Sequence, residues 1–178
     1  TFIFILEMIG TVAFASSGAM IAIEKKMDIF GVNVLGATTA VGGGIMRDVI
    51  LGLAPPTAFS KPVYILIAVV TSTILFAIAY KRMDTIRSIT KSEYYDKLMF
   101  WCDTAGLGIF TVVGIQTASR MMQENNTFFF VFIGVLTGVG GGVLRDIMAG
   151  ETPYILVKHI YACAAIAGGI VCVVSRNM

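Results

Sequence analysis

Thr38-Thr39-Ala40-Val41-Gly42-Gly43-Gly44-Ile45-Met46-Arg47-Asp48-Val49-Ile50-Leu51-Gly52 has a near-copy in Leu136-Thr137-Gly138-Val139-Gly140-Gly141-Gly142-Val143-Leu144-Arg145-Asp146-Ile147-Met148-Ala149-Gly150. The Gly triplet, the Arg-Asp pair and the closing Gly recur at a constant offset of 98 residues. Each copy lies inside a long apolar segment, an unusual setting for three glycines and two opposite charges. Glycine in a helix interior costs roughly 1 kcal/mol relative to alanine, so three in a row predict a loosened or broken helix. In hydrocarbon, irregular backbone survives only against protein or a wet cavity. Ionisable residues at that depth face a bundle interior or a pathway. Two readings stand: the triplets admit close approach of a neighbouring helix, or they interrupt the helix beside a polar path. Their doubling, each time followed by Arg-Asp, favours the path.

The surrounding composition sets the solvent. Of 178 residues 57% are hydrophobic and 13% charged, and the mean hydropathy is +0.86; soluble domains hold about 45–50% apolar residues. The chain reads as an all-α integral membrane protein. A net charge of +2 without a basic, aromatic-interleaved patch excludes nucleic acid as a partner. Cys102, Cys163 and Cys172 sit in apolar runs without Cys-x-x-Cys spacing and read as small buried hydrophobes. With His159 the sole histidine, no histidine-based metal cluster is expected. Thr1 already lies in an apolar run with no basic segment or cleavage site before it, so this stretch reads as a first span, not a signal peptide.

A spanning helix needs about 20 mostly apolar residues, and six segments fit: Phe2 to Ile23, Ile29 to Ala54, Pro62 to Tyr80, Leu98 to Ser119, Thr127 to Gly150 and Tyr154 to Ser175. Pro55-Pro56 ends the second, because neither continues a helix. Gly10, Phe14, Gly18 and Ala22 match Gly106, Phe110, Gly114 and Ala118, with Glu7 opposite Asp103 in the same register. Lys61 and Tyr64 match Lys158 and Tyr161. Residues 1–80 therefore read as one three-helix unit, 81–97 as a connector and 98–178 as its repeat. Three being odd, the second unit enters the membrane from the other side, and inverted repeats with interrupted helices point to a site near the midplane.

Lys25, Lys26, Lys81, Arg82, Arg87, Lys91, Lys97 and Lys158 fall on one side; Lys61, Arg120 and Arg176 fall on the other. The positive-inside rule makes the richer side cytoplasmic and the N-terminus external. The basic connector reads as an ordinary cytoplasmic loop, and Trp101 as an interfacial anchor.

A helix broken at a triplet would bare carbonyls on one half and amides on the other. Carbonyls suit K⁺ or Na⁺ and amides suit a carboxylate, so the break alone does not choose. Arg47 and Asp48 are adjacent and point about 100° apart on a helix. A cross-repeat arrangement, Arg47 with Asp146 and Arg145 with Asp48, would neutralise all four. Thr38, Thr39, Thr137, Ser16 and Ser17 either add hydroxyls to a path or bond back to the preceding turn. Glu7 and Asp103 lie near span ends, where snorkelling is cheap. The phosphate-loop and dinucleotide patterns fail, and no nucleophile has a base beside it, so no enzyme activity or cofactor is expected.

Two copies of Gly-Gly-Gly-x-x-Arg-Asp, each midway along the second span of a three-helix repeat, resemble the prokaryotic branch of the trimeric intracellular cation channel family over essentially the whole chain. The resemblance implies a homotrimer in a prokaryotic inner membrane. Each protomer would carry its own pore for K⁺ and Na⁺, lined by kinked second and fifth helices. The kinks map to Gly42, Gly43, Gly44 and Gly140, Gly141, Gly142, with Arg47, Asp48, Arg145 and Asp146 as charge pairs beside the pathway. There are two departures. The family usually has a seventh helix, whereas six spans are read here. Eukaryotic members carry Lys-Glu-Val, involved in phosphoinositide binding, where Gly140 to Gly142 stand. Bacterial relatives are also described as glycine transporters, which makes a secondary transporter of glycine or another small zwitterion the rival expectation.

Overall fold

Helix α1 (Phe2–Glu24) is apolar for most of its length and turns sharply at Lys26, whose φ is 57°. The computed structural model describes residues 2–81, 93–122, 126–157 and 159–177. The Asp28 side chain accepts from the Gly31 amide at 2.8 Å and so starts α2 (Ile29–Ile50). That cap satisfies an amide the first turn leaves unpaired. At the other end Gly52 takes φ 72°, with Leu53 N donating to Asp48 O (2.8 Å) and Gly52 N to Val49 O (3.2 Å). This is a glycine-terminated Schellman end, in a conformation costing other residues about 1–2 kcal/mol. A one-turn helix α3 (Thr57–Ser60) then leads into α4 (Val63–Lys81) and, after the connector, α5 (Glu93–Met121).

The second half repeats the construction. Asn126 accepts from Phe129 N at 3.0 Å to start α6 (Thr127–Met148), which closes on Gly150, again at φ 72°. The described helical stretches α7 (Tyr154–Val157) and α8 (His159–Asn177) follow, on either side of residue 158. Helices α1, α2 and α4 pack as one triple bundle, and α5, α6 and α8 as the other; α1 against α5 and α2 against α6 join them.

The joint shows how the halves are related. A Cβ on Gly10 would touch the Phe110 ring (3.0 Å), and one on Gly106 would overlap the Phe14 ring. The two rings meet each other at a centroid distance of 5.3 Å. In α2 and α6 a Cβ on Gly43 would overlap the Thr137 carbonyl, and one on Gly141 the Thr39 carbonyl. These contacts are reciprocal and run in opposite chain directions. The core clusters agree: Ala19, Ala22, Val32 and Leu35 pack in one half, and Ile115, Ala118, Phe130 and Ile133 in the other.

Two expectations change. Helices α2 and α6 run uninterrupted through Gly42–Gly44 and Gly140–Gly142, so the triplets do not break them. Their use is close approach. Between apolar helices in lipid, packing supplies the attraction, and missing side chains let backbones touch. The sixth segment, read as one span from Tyr154 to Ser175, is helical from Tyr154 to Val157 and from His159 onward, and residue 158 lies outside the described residues. Five helices among the described residues are long and apolar enough to cross a membrane, and Cys163–Ser175 is a shorter apolar helical stretch. Finally, α5 begins at Glu93, inside the stretch read as connector. Residues 82–92, with Arg82, Arg87, Ser88 and Lys91, lie outside the described residues.

Lys25 and Glu151 form an ion pair at 2.6 Å between the α1–α2 turn and the α6–α7 turn. The hydrogen bond from Glu151 raises the lysine above its ordinary range, against a smaller opposing effect of desolvation. Both side chains are substantially exposed, so the pair adds little stability. It does show that these two turns share one face of the molecule. Trp101 and Phe128 are exposed on the apolar exterior at 67% and 80%.

Candidate functional site

Each repeat ends its central helix in a buried charge cluster. In the first, Arg47 donates from Nε to Asp48 Oδ1 at 2.8 Å, and its Nη2 lies 2.8 Å from the same oxygen. The other oxygen, Oδ2, accepts from the Thr57 amide at 2.6 Å, which fastens the start of α3 to the end of α2. Asp48 is fully buried and Arg47 nearly so. Beside them Tyr64 on α4 donates its hydroxyl to Glu7 Oε2 at 2.6 Å. Glu7, Thr11, Gly44, Arg47, Asp48, Tyr64 and Phe110 are among the residues lining a cavity of about 40 Å³.

The second cluster is built on the same plan and closed more tightly. Arg145 Nε donates to Asp146 Oδ1 at 2.9 Å, and Asp146 Oδ2 accepts from the Tyr154 amide at 2.8 Å at the start of α7. Here the guanidinium has further partners. Its Nη1 meets Asp103 Oδ1 at 2.5 Å and donates to the Ser17 hydroxyl, which itself donates to Asp103 Oδ1 at 2.6 Å. Asp103, Gly142, Arg145, Asp146 and Tyr154 help to line a cavity of only about 10 Å³. A water needs roughly 10–15 Å³, so one molecule is its limit.

Both clusters balance one guanidinium against two carboxylates: Arg47 with Glu7 and Asp48, Arg145 with Asp103 and Asp146. Because α2 and α6 are antiparallel where they cross, their C-terminal ends point apart. The cavities therefore lie on opposite sides of the glycine crossing. Gly44 and Gly142 line them, while Gly42, Gly43, Gly140 and Gly141 fill the crossing; a Cβ on Gly42 would stand 2.6 Å from Leu144 Cδ1, and one on Gly140 3.0 Å from Met46 Sδ. Thr39 and Thr137 are buried there and turn their hydroxyls back to Leu35 O and Ile133 O, each at 2.6 Å. Ser16 likewise bonds back to Val12 O at 2.7 Å. Thr38 is half-buried and near neither cluster's bonds.

Two site expectations are corrected. Arg47 and Arg145 pair with the aspartate next in sequence, not across the repeat. The long guanidinium stem curls around the helix by more than the 100° that separates the Cα–Cβ directions, and Nε and Nη2 reach a neighbouring carboxylate that a shorter side chain could not. Glu7 and Asp103 do not snorkel: Glu7 is held by Tyr64, and Asp103 is buried against Arg145. Tyr64, Thr57, Tyr154 and Ser17 complete the clusters. The matched register of Glu7 with Asp103, and of Lys61 and Tyr64 with Lys158 and Tyr161, was the signal pointing to the first of these.

Two helical halves with a charged cavity on either side of a shared glycine crossing define a polytopic integral membrane protein. The family model described as Glycine transporter matches it in two stretches, residues 4–80 and 100–177. A UPF0126 membrane protein of Vibrio cholerae is 34% identical over 172 residues, covering 94% of this chain and 66% of the relative, so the chain spans about two thirds of that protein's length. The UPF0126 inner membrane protein YadS of Escherichia coli K12 is 41% identical over 167 residues, covering 93% of this chain and 75% of the relative. The chain belongs to this family. Among solved structures, the TRIC trimeric intracellular cation channel orthologue from Rhodobacter sphaeroides superposes with a TM-score of 0.87 at 32% identity, covering 99% of this chain and 85% of that one. A TRIC cation channel studied for its conductance gives 0.80 at 38% identity, covering 97% and 79%.

Proposed function

We propose that this protein is a monovalent cation channel for K⁺ and Na⁺, working as a homotrimer in a prokaryotic inner membrane with a path inside each protomer. One observation carries the reading: each cavity on the α2–α6 axis holds two carboxylates against one guanidinium. A cleft with an excess of one sign between low-dielectric walls concentrates counter-ions, and rings of acidic side chains serve cation channels in this way. The similarity to TRIC channel structures supports it. Residues 1–80 and 98–178 are the two inverted units and 81–97 joins them. Gly42 to Gly44 and Gly140 to Gly142, with Thr38, Thr39 and Thr137, surround the constriction; the Arg-Asp pairs flank it. Helix packing at Gly43 and Gly141 closes the path in this conformation. No catalytic role or cofactor is assigned. The second reading, a secondary transporter of glycine or another small zwitterion, is favoured by two cavities that do not join.

Reconstitution in a planar bilayer under asymmetric KCl separates the two. Discrete openings reversing near the K⁺ potential are expected. Glu7→Gln should lower K⁺ current severalfold, because it removes the net negative charge of the first cavity. Silence in the bilayer with saturable glycine uptake in vesicles would reverse the order of the readings.

The orientation has its own check. With the N-terminus external and residues 81–97 cytoplasmic, a cysteine replacing Ser88 in a cysteine-free background should react with impermeant reagents only from the inside. Labelling from outside in intact cells would overturn the orientation.

A further inference from the structure

Between the two cavities stands a pair of aromatic rings at matched positions, Phe14 on α1 and Phe110 on α5. Along α1, Thr11 lines the first cavity and Ser17 bonds Asp103 in the second cluster. Six residues of helix separate Thr11 from Ser17, roughly 9 Å of rise, and Phe14 lies midway. Along α5 the order is reversed: Asp103 lines the second cavity, Gly106 receives the Phe14 ring, and Phe110 lines the first. Both rings are buried, and they meet at a centroid distance of 5.3 Å with their planes 34° apart. Each rests on a glycine of the other half, Phe110 on Gly10 and Phe14 on Gly106. Phe14 also reaches the crossing, where its Cδ2 is 3.5 Å from the place a Cβ on Gly141 would take. The other buried members of this cluster are small: Ala15, Ala40 and Ala68.

We infer that Phe14 and Phe110 are the gate between the two cavities, an apolar plug whose rings must leave their glycine seats before a hydrated solute passes. An apolar constriction sheds water, and with it the hydration shell an ion needs, so it closes a path by dewetting. The crossing at Gly43 and Gly141 narrows the path with backbone, which yields only if α2 and α6 part. A phenyl ring moves by turning about its own side-chain torsions, between staggered wells and without parting the helices. The rings are thus the part of the closure that can open while the crossing holds. Their mutual contact couples them, so that displacing one frees the other. The gate rests on the channel reading for the identity of the ion it stops, and its test follows a second solute beside that ion.

The test reconstitutes the full chain with Phe14→Ala, Phe110→Ala and the double variant. In planar bilayers each single variant should raise the K⁺ open probability about tenfold, the factor one favourable aromatic contact is worth, with unitary current unchanged or larger. The double variant should fall short of the product of the two, because either substitution already dismantles the pair. Phe14→Leu and Phe110→Leu retain a smaller apolar plug; they should give lesser rises, and they decide the matter if the alanine variants fail to assemble. Phe130→Ala removes a ring as deeply buried from the core of the second half. It should lower the thermal midpoint and leave the open probability at the wild-type value. Uptake of rubidium and of radiolabelled glycine into vesicles, measured in parallel, separates the gate from the channel reading. Faster glycine uptake in the ring variants without rubidium uptake keeps the gate and overturns the channel. Rubidium uptake at the wild-type rate in folded ring variants keeps the channel and overturns the gate. The gate also falls if neither solute moves faster in any folded variant, or if Phe130→Ala opens the path equally.

Discussion

Gly43→Ala and Gly141→Ala should each destabilise the fold severely, and to the same extent. A single methyl at either position would overlap a backbone carbonyl of the opposing helix, Thr137 for Gly43 and Thr39 for Gly141. Backbone cannot swing aside as a side-chain end does, so α2 and α6 must separate. Overpacking a tight core costs typically about 1–3 kcal/mol, and these substitutions belong at or above the top of that range. Gly44→Ala and Gly142→Ala supply the contrast. Their nearest neighbours are the flexible Nη2 ends of Arg47 and Arg145, at 3.8 Å and 3.9 Å, which is ordinary contact. They should leave the stability within about 0.5 kcal/mol of wild type, or raise it slightly through the helix propensity of alanine. Thermal unfolding of all four variants in one detergent checks this. Equal tolerance of alanine throughout each triplet would remove the crossing from its place at the centre of the fold.

The helical content and the apolar spans were legible because a bilayer imposes length and polarity on each segment. The shape of the triplets was not. Propensity treats three glycines as a weak point, yet it describes an isolated helix. Here the backbone hydrogen bonds of α2 and α6 remain closed, and the missing side chains are filled by another helix. Whether a Gly run breaks or crosses depends on a partner more than ninety residues away, and the reciprocity of Gly43 with Thr137 is not written in either segment alone. The fastening of Tyr154 N to Asp146 is likewise a tertiary contact that neither segment shows alone.

The charge clusters were half legible. Arg47, Asp48, Arg145 and Asp146 stood out because charge in an apolar span needs a reason. Their pairing was misread because Cα–Cβ directions say little about where a guanidinium on a four-atom stem ends. Register alone had already matched Glu7 to Asp103, but it could not show that one methylene and the exchange of Ser17 for Val113 send the two acids to different partners. Equivalent positions in a repeat share a backbone path; the side chains decide the chemistry separately in each half.

That difference has an energetic consequence. Arg145→Gln should be the more damaging of the two matched substitutions, and Arg47→Gln the milder. Removing one partner from a buried ion pair costs about 3–5 kcal/mol, most of it the burden of leaving the other charge uncompensated. Arg145 is 2% exposed and answers for two buried carboxylates, Asp103 and Asp146, and for the Ser17 hydroxyl. Its loss takes the guanidinium from both acids, in a cavity too small for more than one water. Arg47 bonds only Asp48 directly, whose Oδ2 keeps the Thr57 amide as Asp146 Oδ2 keeps that of Tyr154, and it shares its cavity with Glu7. Glu7 keeps Tyr64, and the larger cavity admits water to both. Arg145→Gln belongs at the upper end of that range and Arg47→Gln at or below the lower end. Adding Asp103→Asn to Arg145→Gln removes one of the two carboxylates around the lost guanidinium and should restore part of the difference, whereas Glu7→Gln added to Arg47→Gln should restore little. Chemical unfolding of the four variants in matched micelles measures both gaps. If the two single variants unfold together, Asp103 and Ser17 contribute nothing to holding Arg145, and the two clusters are alike in energy despite their different bonds.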